Sequence, residues 1–138
     1  MAFIDITLML EQAQRRVSRE LDRVLSEVGA SAEQWRVLDK LSDEKGLPIG
    51  ELAQQLNMNP PTMTKLIDRM VAAGLVQRIV DDEDSRRVLV FITDNGLVLF
   101  GKLSRRATQF HEGLAEGLNA REALQLSKLL GNLTNQLN

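Results

Sequence analysis

Apolar residues recur every three or four positions along most of the chain, which is the spacing of amphipathic helices. The first stripe predicts a long helix from Ile6 that ends near Gly29, a residue suited to a left-handed cap. Its apolar positions are Ile6, Met9, Ala13, Val17, Leu21, Val24 and Val28. Ser31 and Gln34 have capping-box spacing, so a second helix is predicted over residues 32–41. Its expected inward residues are Trp35, Leu38 and Leu41.

Two shorter apolar stripes follow, and only the tripeptide NMN separates them. They consist of Ile49, Leu52, Ala53 and Leu56, and then of Met63, Leu66, Ile67 and Met70. Asn59 suits the N-cap of the second of these helices, and Pro60 suits its first position, where no amide bond is lost. Gly74 is expected to end it. The pattern therefore predicts two helices joined by a tight turn.

The pattern then changes to two short runs rich in β-branched residues, LVQRIV and VLVFI, on either side of an acidic turn. They predict a β-hairpin. Thr93 can cap a further long helix, and Asn119 with Glu122 forms a capping box for a last one. The apolar positions of the first of these helices are Leu99, Leu103, Ala107, Phe110, Leu114 and Leu118. The last helix is expected to bury Leu126, Leu130, Leu133 and Leu137. The fold is thus predicted to be mainly α, in the order α-α-α-α-β-β-α-α.

The fourth predicted helix has a polar side opposite its apolar stripe. At 100° per residue, Pro61, Lys65, Asp68 and Arg69 share that side, with Thr62 and Thr64 flanking it. A short helix after a tight turn, with its N-terminal residues outward, is how a helix-turn-helix presents a recognition helix to the DNA major groove. The alternative is an ordinary helical hairpin, which also has one apolar and one charged face.

Composition narrows the function classes. The 138 residues suffice for one domain, or one domain with extensions, and the net charge of −2 gives no overall attraction to nucleic acid. Any binding of a polyanion must come from locally placed basic residues. The absence of cysteine excludes disulfides, thiolate metal sites and thiol redox sensing within this chain. Without a basic leader, a cleavage pattern or a membrane-length apolar run, we expect a cytoplasmic protein with no membrane contact.

No catalytic constellation is visible in the sequence. His111 is the only histidine, and a lone histidine is more often a surface or pocket-lining residue than a metal ligand. The carboxylates of DDED lie on a predicted exposed turn, which is not the buried setting typical of a catalytic carboxylate pair. There is no glycine-rich phosphate loop. We therefore expect no enzyme, no catalytic residue, no metal and no cofactor.

Three segments together closely resemble the MarR family of winged helix-turn-helix transcription regulators. They are ELAQQL, PPTMTKLIDRMVAAGLVQR and DDEDSRRVLVFITDNG. The most specific part is the wing pattern of Asp84, a spacer and Arg86, followed by an apolar strand, Thr93 and Gly96. The resemblance extends over nearly the whole chain, because the family also has long flanking helices.

The resemblance implies a homodimer that binds a pseudo-palindromic DNA operator, acts as a repressor and responds to a small phenolic or carboxylate effector. It divides the chain into an N-terminal dimerisation helix over 1–30, a winged helix-turn-helix domain over 31–96 and C-terminal dimerisation helices over 97–138. The recognition helices would enter successive major grooves, and each wing would reach the adjacent minor groove.

The resemblance also implies that the wing arginine, Arg86, enters the minor groove while Asp84 holds it in place. Arg87 is a weaker candidate for phosphate contact. The full set of expected DNA-binding residues is Pro61, Thr62, Thr64, Lys65, Arg69, Asp84, Arg86 and Arg87. Pro61 departs from the small polar residue common in the family, and so does the segment 48–50, where a threonine cap is usual. The alternative function is a ligand-sensing or protein-interaction winged helix without DNA binding, which the polar and basic face disfavours.

Overall fold

The computed structural model describes residues 4–137, which form six helices and one β-hairpin in the predicted order. The elements are α1 Ile6–Ser26, α2 Ala32–Leu41, α3 Ile49–Gln55, α4 Pro60–Ala72, β1 Val76–Val80, β2 Val88–Ile92, α5 Asp94–Ala115 and α6 Ala120–Asn135. None of these helices is both long enough and apolar enough to cross a bilayer. The predicted mainly α class and the winged helix-turn-helix order are confirmed.

Side-chain caps set the starts of the helices, as the sequence predicts. Both capping boxes form: Ser31 with Gln34 before α2, and Asn119 with Glu122 before α6. Before α4, the Asn59 side chain accepts a hydrogen bond from the amide of Thr62 at 2.8 Å. Each cap satisfies a backbone amide that the first turn of a helix leaves unpaired. Local sequence therefore fixes where these helices begin.

The buried core lies where α2, α3 and α4 pack against the hairpin, the C-terminal end of α1 and the N-terminal two thirds of α5. All four apolar residues predicted for α4 are buried there, namely Met63, Leu66, Ile67 and Met70. Leu38 and Leu41 of α2 are buried as expected, whereas Trp35 is only partly buried. Because one side of α4 is fully covered, its other side is held toward solvent.

The hairpin is antiparallel, with Val76 opposite Ile92 and Val80 opposite Val88. Leu47, in the loop before α3, forms an isolated bridge to Val90 through two backbone hydrogen bonds of 3.0 and 2.8 Å. The strand β2 is therefore bonded on both edges, which ties the hairpin to the loop between α2 and α3.

Thr93 joins the base of the hairpin to the helices on either side. Its hydroxyl donates to the carbonyl of Gly74 at 2.6 Å and accepts from the amide of Gly96 at 3.1 Å. Its own amide donates to the carbonyl of Leu75 at 3.0 Å. A Cβ at Gly96 would lie 2.2 Å from that same Leu75 oxygen. Only glycine lets the first turn of α5 approach the chain that leaves α4.

The terminal helices depart from the prediction. Leu126, Leu130, Leu133 and Leu137 were expected to be buried, but all four are exposed, and α6 has no buried residue. Within α1, burial is confined to Leu21 and Leu25. The expectation is wrong for the single chain, because an apolar stripe defines which face needs cover and does not say that the same chain supplies it.

We predict that Gly96→Ala destabilises the protein by about 1–3 kcal/mol, the usual cost of forcing an extra carbon into a packed site. Gly101→Ala is the matched control. Gly101 lies on the same helix, and a Cβ there would have no neighbouring residue within 4 Å. It should be neutral or stabilising by up to about 1 kcal/mol. Urea unfolding at a fixed protein concentration measures both variants. Equal midpoints for the two would contradict the role assigned to Gly96.

Candidate nucleic-acid interface

The polar face of α4 is exposed along its first three turns. The expected DNA-binding residues on it are all at the surface, namely Pro61, Thr62, Thr64, Lys65 and Arg69. The hydroxyl of Thr64 donates to the carbonyl of Pro60 at 3.0 Å, which leaves its oxygen able to accept. Lys65 and Arg69 lie one helical turn apart and take part in no ion pair within the described residues. The face offers hydroxyls and two unpaired cations.

The tip of the hairpin presents Arg86. The carboxylate oxygen Oδ1 of Asp84 accepts from the Arg86 amide at 3.0 Å and from its side-chain Nε at 3.3 Å. The Arg86 side chain is nevertheless 90% exposed. The contact expected between Asp84 and Arg86 is therefore present, and it restrains the base of the guanidinium while its outer nitrogens face solvent. A restrained side chain loses less rotamer entropy when it binds.

Of the remaining acids of the turn, Asp81 bonds to its backbone. Asp81 Oδ1 accepts from the amide of Glu83 at 3.0 Å, and the Asp81 amide donates to the carbonyl of Arg87 at 2.8 Å. These bonds close the turn, as expected for an acidic residue that caps it. Asp82 and Glu83 are exposed.

Two arginines of the hairpin form ion pairs that the sequence prediction did not include. Arg87 Nη2 lies 3.4 Å from Glu51 Oε1 of α3, and Arg78 of β1 pairs with Asp68 of α4. Strand alternation offered a signal for the second pair: Arg78 lies two residues after the buried Val76 and so points to the same side, toward α4. β1 is thereby linked to α4, and the turn residue just before β2 is linked to α3.

A cavity of about 310 Å³ lies between α1, α2 and α5, away from the wing. Its lining residues include Val17, Leu21, Trp35, Arg36, Phe110 and His111. The Trp35 indole nitrogen donates to the hydroxyl of Ser104 at 3.2 Å, and the Arg36 guanidinium lies 5.1 Å from the Trp35 ring centroid. The cavity thus combines apolar walls with two basic side chains. Across residues 4–137 there is no group of three or more side chains that could hold a metal ion.

Comparison with known proteins shows a likeness to one family of transcriptional regulators. The family model described as MarR family matches residues 30–88. The HTH-type transcriptional regulator FarR of Neisseria gonorrhoeae is 27% identical over 93% of this chain and 88% of its own length. The crystal structure of a cysteine-to-serine mutant of MarR from E. coli, complexed with operator DNA, superposes with a TM-score of 0.87 at 26% identity, covering 94% of both chains.

A structure of BpsR from Bordetella bronchiseptica, whose DNA binding is regulated by 6-hydroxynicotinic acid, shows the same fold. Its TM-score is 0.87 over 97% of this chain and 98% of that one, at 23% identity. The family model covers α2 to the start of β2, while the full-length likenesses also include the terminal helices. The chain is therefore similar to MarR-family regulators over nearly its whole length and has their winged helix-turn-helix fold.

Proposed function

We propose that the protein is a sequence-specific regulator of transcription, a homodimer that represses by occupying a pseudo-palindromic operator in double-stranded DNA. The observation that carries this proposal is the pairing of two elements on one rigid unit: the polar N-terminal face of α4 and the restrained Arg86 at the wing tip. The first fits the major groove and the second fits a narrow minor groove, where negative potential is concentrated. The likeness to a protein solved on operator DNA supports it.

The contacts divide between positioning and readout. Lys65 and Arg69 can bind phosphates or the acceptor edge of guanine, while the Thr62 and Thr64 hydroxyls can bond to phosphate or base. Pro61 contributes apolar surface only, because it has no polar side-chain atom. Arg87, paired with Glu51, would reach a phosphate only by leaving that partner.

Dimerisation explains the exposed leucines of α6 and the exposed start of α1. The large exposed apolar side chains at the two ends of the chain are Ile4, Ile6, Leu8, Met9, Leu10, Leu114, Leu118, Leu124, Leu126, Leu129, Leu130, Leu133 and Leu137. Large exposed apolar side chains concentrated on the terminal helices are typical of a surface that another chain covers. We therefore assign residues 1–30 and 97–138 to dimerisation and 31–96 to DNA binding.

Selection of duplexes from a random-sequence pool tests the function. We expect the protein to enrich an inverted repeat whose half-sites are centred about 34 Å apart, since a two-fold dimer places its recognition helices one DNA turn apart. Binding should weaken steeply as salt rises, because phosphate contacts release counterions. If the pool yields no enrichment and no salt-sensitive binding, the chain would instead be an interaction or sensing module.

We predict that Arg86→Ala weakens binding to the selected duplex by about 1–3 kcal/mol. The loss should be accompanied by a shallower dependence of affinity on salt, because one ionic contact is removed. Arg105→Ala, which removes an exposed arginine of α5, is the matched control and should bind as the wild type does. Fluorescence anisotropy titrations at several salt concentrations measure both. An Arg86→Ala protein with wild-type affinity and slope would show that the wing does not contact DNA.

The cavity between α1, α2 and α5 is our candidate for an effector site. Its Trp35 and Phe110 walls suit an aromatic ring, and Arg36 suits a carboxylate or phenolate. It lies between α1 and α5, which belong to the proposed dimerisation helices, and α2 of the DNA-binding domain. A ligand there would contact both units and could change the angle between them. That BpsR responds to a hydroxylated aromatic carboxylate is consistent with this chemistry.

We predict that 4-hydroxybenzoate binds this cavity and changes the fluorescence of Trp35, the only tryptophan. Arg36→Gln should weaken that binding roughly tenfold, since hydrogen bonds to charged groups are among the stronger ones. Benzyl alcohol, which lacks the carboxylate, is the control ligand and should not distinguish wild type from variant. Equal affinity of both proteins for 4-hydroxybenzoate would show that Arg36 does not bind the ligand.

A further inference from the structure

Asp68 is an acid on the face of α4 that we propose to read DNA. Its side chain is 59% exposed, and it lies beside Arg69 and one turn after Lys65. A bare carboxylate there would face the phosphates of any bound duplex, and like charges brought together weaken association. The presence of an acid at this position therefore needs a compensating charge.

Arg78 supplies that charge from a different element. It lies in the middle of β1, opposite Val90, and its guanidinium pairs with Asp68 across the junction of α4 and the hairpin. Its side chain is 32% exposed, so it is more shielded from water than the acid that it neutralises. Arg78 is thus held by the strand, whereas Lys65 and Arg69 extend from the helix.

We propose that Arg78 is a positioning residue for DNA binding, which acts by masking the charge of Asp68 on the reading face of α4. The inference rests on the proposed function. Pairing cancels the charge of Asp68 and leaves Lys65 and Arg69 as the net positive charge of the face. The structure thereby assigns Arg78 an indirect part in affinity, distinct from the direct contacts proposed for Arg86.

Folding stability alone does not account for the pair. Ion pairs at a solvent-exposed surface contribute on the order of 0–1 kcal/mol, because water screens them and two side chains must be ordered. The same charges contribute more to the free energy of DNA binding, because all the phosphates of a duplex are negative. Loss of Arg78 should therefore change DNA affinity much more than it changes the midpoint of thermal unfolding.

A rival role is that Arg78 leaves Asp68 and contacts a phosphate itself. The two roles differ in the double variant. If Arg78 masks Asp68, then removing both charges restores the face, and Asp68→Asn with Arg78→Gln binds like the wild type. If Arg78 contacts phosphate, the double variant still lacks that contact and stays weak.

The test uses the full chain with the selected duplex and a scrambled duplex of equal length and composition. We expect Arg78→Gln to weaken binding to both duplexes by about threefold to tenfold, because charge repulsion does not depend on base sequence. Arg78→Lys keeps the charge and should stay within about twofold of wild type, as should the double variant. Arg23→Gln, which breaks ion pairs on α1, is the matched control and should have no effect.

The outcomes separate the inference from the function on which it rests. If the wild type binds neither duplex, the proposed function fails and the inference fails with it. If the wild type binds and the double variant is as weak as Arg78→Gln, masking is wrong and Arg78 contacts DNA directly. Wild-type affinity in Arg78→Gln would also overturn the proposal. Rescue in the double variant, with unfolding midpoints of all variants within a few degrees, supports it.

Discussion

The hydroxyl of Thr93 holds together the three elements on which the candidate interface depends. It donates to the carbonyl of Gly74, just after α4, and accepts from Gly96 in the first turn of α5, so that the start of β1 and the end of β2 are held at one point. Gly96 makes the close approach possible because it has no Cβ. These hydrogen bonds determine the direction of the wing relative to α4. They therefore also determine the distance between Arg86 and the start of the recognition helix.

Most arginines near the candidate interface form ion pairs with acids. The net charge of the chain therefore does not predict whether one of its faces is basic. Between residues 59 and 90 acids and bases are equal in number. Arg78 pairs with Asp68, Arg87 with Glu51 and Arg86 with Asp84, whereas no ion pair among the described residues uses Lys65 or Arg69. The paired arginines position the hairpin and its tip, and the unpaired cations remain on α4. A segment with no net charge can therefore present a basic face.

The sequence predicted what short-range physics determines and missed what depends on distant partners. The caps at Ser31, Asn59 and Asn119 were predictable because each involves residues three positions apart. The pair of Arg78 and Asp68 was missed because it joins two elements, and its strand signal has meaning only once the packing of β1 on α4 is known. The leucines of α6 were predicted to be buried, yet this chain leaves them exposed. The interface residues were placed on their faces by periodicity, while their roles came from the family resemblance.

The exposed apolar surface of α6 would make DNA binding depend on the concentration of the protein. In the proposed homodimer, the apolar surface of α6 is covered only when two chains meet, so the population of the binding-competent species rises with the square of the monomer concentration at low levels. Dilution would then lower DNA occupancy in two ways, because it favours dissociation of the dimer and because less dimer is available to bind the DNA. Any effector that loosens α1 from α2 acts on the same equilibrium by mass action. A repressor built this way responds to its own abundance more steeply than a monomer could.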